Sequence, residues 1–283
     1  MAGVSAAIEA AAGKKVRRTA ALSGGCISEV LLVEFTDGTN AVAKLAGGES
    51  TFLTEAWMLE YLKSHSALPV PAVLHADEHL LLLEYLESGG ALDASAQAHA
   101  AELLAALHAI TAPKFGLERD TVIGSLHQPN AQSDSWIAFF RDRRLLYMAR
   151  AALDEDAISS VLMGRIENFA GHLDEYLLEP EKPSLIHGDM WGGNVLCKGG
   201  RISGFVDPAI YYADPEIEFA FSTLFSTFGE PFFSRYREIS AMRPGFFETR
   251  RDIYNLYPLL VHVRLFGGGY VGSVESVLRR LGF

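Results

Sequence analysis

Cysteine is scarce: Cys26 and Cys197 are the two in 283 residues, far apart and without C-x-x-C spacing, so neither a disulfide framework nor a zinc site is indicated. Basic charge is also short. Lys and Arg number 24 against 35 Asp and Glu, and the net −11 argues against a general nucleic-acid or anionic-membrane binder. It leaves room for one locally positive phosphate site. Internal repeats, low-complexity linkers and long like-charge runs are missing. No apolar run makes a membrane span; the most hydrophobic stretch, Tyr257 to Val271, is interrupted by His262 and Arg264. Met1 to Gly13 has no basic segment and carries Glu9, so no signal peptide is expected and a cytoplasmic location is. What remains is a globular composition, 49% apolar and 21% charged, long enough for two lobes around one cleft.

The Ala-rich Ala2 to Ala12 reads as a helix. Leu31 to Phe35 and Ala41 to Lys44 are β-type runs flanking Thr36-Asp37-Gly38-Thr39-Asn40, a hairpin with Asp-Gly in its turn. Thr51 to Ser64 reads as a helix with Phe52, Ala56, Leu59 and Leu62 on one face. Leu80 to Leu86 is a continuous apolar run fit for a buried strand, and it ends at the connector Glu87-Ser88-Gly89-Gly90. Helices are expected over 95–110, 135–151 and 157–178 and again after Tyr211, with one hairpin, Val195–Cys197 and Ile202–Val206, between them. The pattern predicts an α+β fold of two lobes: residues 1–86 with an antiparallel sheet, and residues 87–283, mostly helical.

The strongest chemical signal is His187-Gly188-Asp189-Met190-Trp191-Gly192-Gly193-Asn194, followed thirteen residues later by Asp207. Phosphoryl transfer from a nucleotide needs a carboxylate at the acceptor hydroxyl and oxygen ligands for Mg²⁺. H-x-D-x4-N supplies the carboxylate of Asp189 and the amide of Asn194, and a hairpin returning to Asp207 brings a second carboxylate beside that amide. A lone H-x-D also suits a capped loop or a metal hydrolase; Asn194 and Asp207 favour the kinase reading. Order and spacing resemble the protein-kinase-like superfamily, with Gly188 at the second position of H-R-D and Asp207-Pro208-Ala209 in place of D-F-G. Lys44 ends an apolar strand, where a charge needs a partner, and Glu55 lies on the next helix, eleven residues on. That pair suits the phosphates of ATP. Gly24 and Gly25, ahead of the Lys44 strand, read as a phosphate-covering turn, although they make neither a Walker loop nor a full G-x-G-x-x-G. Glu84-Tyr85-Leu86 reads as a hinge, with the Glu84 carbonyl and the Leu86 N–H as adenine contacts.

The segment 185–194 resembles the H-G-D-x-W-G-G-N signature of the fructosamine (ketosamine) kinases, and Phe205 to Glu216 is similar to the segment that follows in that family. Gly24 to Ile27, Phe115-Gly116-Leu117 and Trp136 to Arg144 extend the resemblance over nearly the whole chain; Trp191-Gly192-Gly193 separates it from aminoglycoside and choline kinases. The resemblance implies ATP- and Mg²⁺-dependent phosphorylation of a ketosamine 3-hydroxyl, followed by elimination of the phosphate and release of the amine, a deglycation repair. It also implies roles: Asp189 as base, Asn194 and Asp207 as Mg²⁺ ligands, Lys44 on phosphates, Glu55 orienting Lys44. Asp214 and Glu218 read as structural, one capping the next helix and the other bracing the catalytic loop, and His187 as a packed loop support. A kinase acting on another sugar-amine, aminoglycoside or choline-like hydroxyl is the alternative. A regulatory pseudokinase is disfavoured because the whole catalytic set is present.

Two residues carry expectations of their own. Cys26, beside the glycine turn, is a candidate redox-sensitive thiol or a small apolar filler, and the resemblance implies a redox-linked dimer. Trp191 lies two residues after the base, and Gly192 and Gly193 leave space over the loop, so its indole is expected to stack on the sugar or amine part of the substrate; packing under the loop is the other reading.

Overall fold

The computed structural model describes residues 2–22 and 29–283. After α1 (Ala2–Ala12), a five-stranded antiparallel sheet is built from β1 (Val16–Ala21), β2 (Glu29–Phe35), β3 (Asn40–Leu45), β4 (Val73–Ala76) and β5 (Leu80–Glu84), in the order β1-β2-β3-β5-β4. The β2–β3 turn closes as its Asp-Gly predicts: Asp37 Oδ1 accepts the Thr39 N–H at 2.9 Å, and Gly38 takes φ +85°. Between β3 and β5 runs α2 (Phe52–His65).

Two-residue periodicity splits the sheet into two buried faces. Leu31, Val33, Phe35, Ala41, Ala43, Leu80 and Leu82 pack under Ile8 of α1. Leu81 and Leu83 point the other way, into a core that takes Phe52, Met58, Leu59 and Leu62 from α2. The four leucines of β5 are therefore buried on both sides. This second core continues through Leu104, Phe140, Tyr211 and Leu260, so it runs across the expected lobe boundary at residue 86.

The larger part holds α3 (Ala94–His108), capped by Asp93 at the Ala96 N–H, and the short hairpin β6 (Thr121–Ile123) and β7 (Leu126–Gln128). Then come α4 (Trp136–Phe139), α5 (Leu146–Asp154) and α6 (Ser160–Ala170). β8 (Ser184–Ile186) pairs antiparallel with β11 (Tyr211–Ala213), and between them lies the hairpin β9 (Val195–Lys198) and β10 (Arg201–Phe205). The chain closes with α7 (Glu216–Leu224), α8 (Glu230–Ile239), α9 (Arg251–Phe266) and α10 (Val271–Leu281).

Three expectations need correction. The helix expected over 135–151 is broken by π turns at Phe140–Leu145, where Arg144 turns inward to donate to the Pro129 carbonyl at 2.7 Å and to Asn130 Oδ1 at 2.6 Å. The helix expected over 157–178 ends at Ala170, and Leu173–Glu175 forms a separate 3-10 turn. β1, β4, β8 and the β6–β7 hairpin were not read from the sequence, nor was β11, which stands where helices were expected to resume after Tyr211. β1 carries Arg17 and Arg18 on the open edge of the sheet, where charge is tolerated and hides the strand pattern. Among the described residues no helix is long and apolar enough to cross a membrane.

Candidate active site

Lys44 sits near the end of β3, on the face that looks at α2. Its Nζ lies 2.6 Å from Glu55 Oε1 and 2.5 Å from Asp207 Oδ1, a contact that spans 163 residues of sequence. Lys44 and Glu55 are buried, whereas the Asp207 side chain is 46% exposed, so the ion-pair chain runs from the interior out into a cleft. Burial alone would lower the Lys44 pKa; the charges of Glu55 and Asp207 override it and hold the pKa above its ordinary value. Glu55 is pushed up by burial, with Lys44 pulling against and Asp207 adding to the rise. Asp207 has φ +54°, a left-handed backbone that few residues with a side chain adopt, directly where β10 ends.

The loop His187–Asn194 is hung between β8 and β9. Gly188 has φ +87°, and a Cβ there would stand 2.1 Å from the Ala209 carbonyl oxygen. No side chain fits, which is the physical reason that glycine replaces the Arg of H-R-D. The Gly188 N–H donates to Glu218 Oε1 at 2.7 Å, and Glu218 Oε2 lies 2.7 Å from His108 Nε2, in a relay buried at Glu218 and His108 that ties the loop to α3 and α7. Glu218 thus braces the loop as expected. Asp214 accepts the Glu216 N–H at 3.0 Å at the start of α7 and is paired with Arg243. His187 is buried, its Nδ1 faces the Asp189 N–H at 3.4 Å, and burial pushes its pKa down, so it is a neutral support.

Asn194 Nδ2 donates to both the Asp189 carbonyl and Asp189 Oδ2 at 2.9 Å, which fixes the carboxylate and leaves Asn194 Oδ1 available. Burial, then the nearby charge of Asp207, pushes Asp189 up to about 7, against the Asn194 donation that lowers it. A carboxyl poised there is suited to accept a proton near neutrality.

These groups share one cleft of about 610 Å³, lined by Val30, Lys44, Glu55, Asp189, Trp191, Asn194 and Asp207, among others. The structure thus unites Lys44, Glu55, Asp189, Trp191, Asn194 and Asp207. Glu84 and Leu86 are not among the residues that line this cleft. The Glu84 N–H donates to the Ala72 carbonyl at 2.8 Å and the Glu84 carboxylate accepts the Ala72 N–H at 3.0 Å, and neither group is the carbonyl expected to contact adenine. Leu86 reaches Gly204, where an added Cβ would lie 2.2 Å from Leu86 Cδ1. Gly24, Gly25 and Cys26 lie outside the described residues. The space expected over Gly193 is corrected, whereas over Gly192 a Cβ would meet only Thr227 Oγ1, at 3.8 Å. A Cβ on Gly193 would meet the Trp191 ring at 2.3 Å, so the indole itself fills it.

Sequence reasoning missed the far wall of the cleft: Val122, Ile123, Phe221, Phe225, Val261, His262, Phe266 and Tyr270. Several of these belong to Tyr257–Val271, which the sequence flags for hydrophobicity alone.

The sequence profile of the fructosamine kinase family matches residues 1–282. The chain belongs to the fructosamine kinase family. Within reach of that family, a probable ketoamine kinase of Synechocystis is 32% identical over 276 residues, covering 94% of this chain and 90% of its own. A crystal structure of a candidate fructosamine-3-kinase from Thermobifida fusca superposes with a TM-score of 0.87 at 29% identity, covering 99% of this chain and 98% of that one. An aminoglycoside phosphotransferase in ternary complex with AMP-PNP and hygromycin B shares the fold, with a TM-score of 0.69 at 17% identity and 98% of each chain covered. Fructosamine kinases and aminoglycoside phosphotransferases therefore share one two-lobed, kinase-like α+β architecture, in which this chain lies nearer the first.

Proposed function

We propose that this fructosamine kinase family member transfers the γ-phosphoryl group of ATP to the 3-hydroxyl of a ketosamine, with residues 1–86 holding the nucleotide and residues 87–283 the acceptor. The observation that carries the reading is the closed chain Glu55–Lys44–Asp207, set in one cleft with Asp189. Such a set is arranged for phosphates on one side and an acceptor hydroxyl on the other.

Lys44, held by Glu55, is the cation for the phosphates. The cleft carries three carboxylates, Glu55, Asp189 and Asp207, against that one lysine, so a polyanionic nucleotide needs further positive charge to enter. Asp207 and the free Oδ1 of Asn194 are oxygen donors of the kind that Mg²⁺ takes, and with phosphate oxygens and water they would hold it. When bound, Mg²⁺ neutralises charge on the phosphates. Asp189 accepts the hydroxyl proton as the O–P bond forms and ADP leaves. Asn194 keeps the Asp189 carboxylate aimed, and Trp191 presents its indole to the sugar or amine. Elimination of inorganic phosphate from C3 would leave an imine at C1, and its hydrolysis by water would release the amine and a 3-deoxy dicarbonyl sugar, a deglycation role.

The experiment is an ATP-consumption assay over ketosamines, aminoglycosides and choline, with the phosphate located on the product by NMR. Turnover confined to ketosamines is expected; turnover confined to aminoglycosides or choline contradicts the reading.

A further inference from the structure

The short hairpin β6–β7 supplies Val122, Ile123 and Gly124 to the cleft wall, and its last residue, Gln128, is fully buried. The Gln128 amide is satisfied at both ends. Nε2 donates to the Ala209 carbonyl at 3.1 Å and to Thr121 Oγ1 at 2.8 Å, and Oε1 accepts the Tyr257 hydroxyl at 2.7 Å. A carbonyl only accepts, so the nitrogen is the atom that faces Ala209. Among the described residues Gln128 is the one side chain that bonds Ala209. Asn130 seats it from behind: Asn130 Nδ2 donates to the same Thr121 Oγ1 at 2.8 Å, while Asn130 Oδ1 holds the buried Arg144. The π turns at Phe140–Leu145, a distortion often found at functional sites, are what turn Arg144 inward to make that contact.

Ala209 touches both halves of the site. Its N–H donates to the His187 carbonyl at 2.8 Å, and its carbonyl oxygen stands 2.1 Å from where a Cβ of Gly188 would be. On the other side of Asp207, the Val206 N–H donates to the Asn194 carbonyl at 3.1 Å. Asp207 sits between these anchors at φ +54°, although the ring of Pro208 favours extended backbone at the residue before it. Such a conformation persists only where its surroundings over-determine it.

We propose that Gln128 is a positioning residue for the phosphoryl transfer: through the Ala209 carbonyl it fixes the backbone of Asp207, and with it the spacing between the Asp207 and Asp189 carboxylates. The inference rests on the proposed reaction, with Asp207 toward the nucleotide and its Mg²⁺ and Asp189 toward the acceptor. Gln128 touches neither reactant. Without its N–H, the Ala209 carbonyl is buried and short of a donor, and rotation of the Pro208–Ala209 peptide relieves it. Proline locks its own φ, so Asp207 takes up that movement, and its contact with Lys44 loosens. Loss of a group that orients a metal ligand costs about 10–100-fold in metal affinity or activity.

The test compares Gln128→Met, which keeps the length and removes both polar atoms, with Leu162→Ala, a cavity in α6 away from the cleft lining. Two measurements are made on the full chain: calorimetric ATP affinity across a Mg²⁺ titration, which needs no acceptor, and kcat and KM on a ribulosamine. In Gln128→Met the Mg²⁺ concentration for half-maximal ATP binding should rise about tenfold and kcat should fall about tenfold, with the ribulosamine KM within about twofold. Leu162→Ala should lower the melting temperature and move neither quantity. Tyr257→Phe leaves Nε2 on Ala209 but releases the other end of the amide, so it should move both quantities in the same direction by a smaller factor. Parental Mg²⁺ dependence and kcat in Gln128→Met, or in Tyr257→Phe if Gln128→Met does not fold, overturn the proposal. So do equal shifts in Leu162→Ala at a matched loss of melting temperature. A parent chain that binds ATP with Mg²⁺ yet turns over no ketosamine overturns the proposed reaction instead, and the calorimetric arm still decides the role of Gln128.

Discussion

The indole of Trp191 lies so close over Gly193 that a Cβ at residue 193 would meet ring carbons at 2.3 and 2.4 Å. The glycine is there for the tryptophan. The ring is half-buried, packs on the core and still lines the cleft, so it is a rigid surface against which a sugar face or an ammonium can rest.

Trp191→Ala should therefore lower kcat/KM for a ketosamine by at least about tenfold while ATP affinity stays within a few-fold. Gly193→Ala, which leaves the indole in place but forces it to move, should produce the same selective loss. If ATP affinity and melting temperature collapse together in Trp191→Ala, the ring is packing only.

Lys44→Met removes the cation and leaves Glu55 buried beside Asp207 without a partner. Turnover should fall by about 10²-fold or more, the scale of losing one preorganised charge at the reacting group, and ATP binding should weaken. Glu55→Gln, which keeps a hydrogen bond to Lys44, should be the milder of the two. Calorimetric ATP affinity that is unchanged in Lys44→Met would remove Lys44 from the phosphate site.

The Gly188–Glu218–His108 relay is buried at Glu218 and His108, so truncation should cost stability before it costs chemistry. Glu218→Ala strands the Gly188 N–H and the His108 ring, at about 1–3 kcal/mol for each unsatisfied group. Glu218→Gln keeps an acceptor for Gly188 and should recover most of the melting temperature. Equal melting temperatures for the two variants would show that the relay does not hold the loop.

Asp189 also marks a pH dependence of stability. Its carboxyl, near 3.8 when unfolded, is raised to about 7 in the folded chain, so the folded state binds the extra proton between those values. Stability falls as pH rises through that window, and above pH 7 the cost is full and constant. In nucleotide- and metal-free protein, Asp189→Asn should melt near the parent at pH 4 and above it at pH 7.5. A melting difference that does not grow with pH would mean that Asp189 is not held in a desolvated site.

How much of this was legible in the sequence follows from how local each pattern is. Asp189, Asn194 and Asp207 lie within one loop-and-hairpin unit whose spacing is set by two short strands, so their convergence could be read directly. Lys44 and Glu55 were legible for a similar reason: a charge at the end of an apolar strand needs a partner, and the next helix supplied it. Leu80 to Leu83 revealed a strand buried on both faces. Phe225, His262, Phe266 and Tyr270 stayed hidden because they come from separate segments, and nothing in helical periodicity distinguishes a ring lining a cleft from a ring in the core. Glu84 and Leu86 were assigned by position along the chain, and their contacts with Ala72 and Gly204 use other atoms than the Glu84 carbonyl and the Leu86 N–H. The glycines after Trp191 were read as room for a ligand; the indole takes the room over Gly193, and that over Gly192 stays open.

The central claim is tested most directly by phosphorus and carbon NMR of the products from ATP, Mg²⁺ and a carbon-labelled ketosamine, run with the parent chain beside Asp189→Asn. The account predicts one new phosphoester on the 3-oxygen for each ADP formed by the parent, and about 10²-fold or greater loss in the variant, the scale of a general base. A phosphoester at another oxygen, no phosphoester on the ketosamine, or a variant within a few-fold of the parent would contradict it.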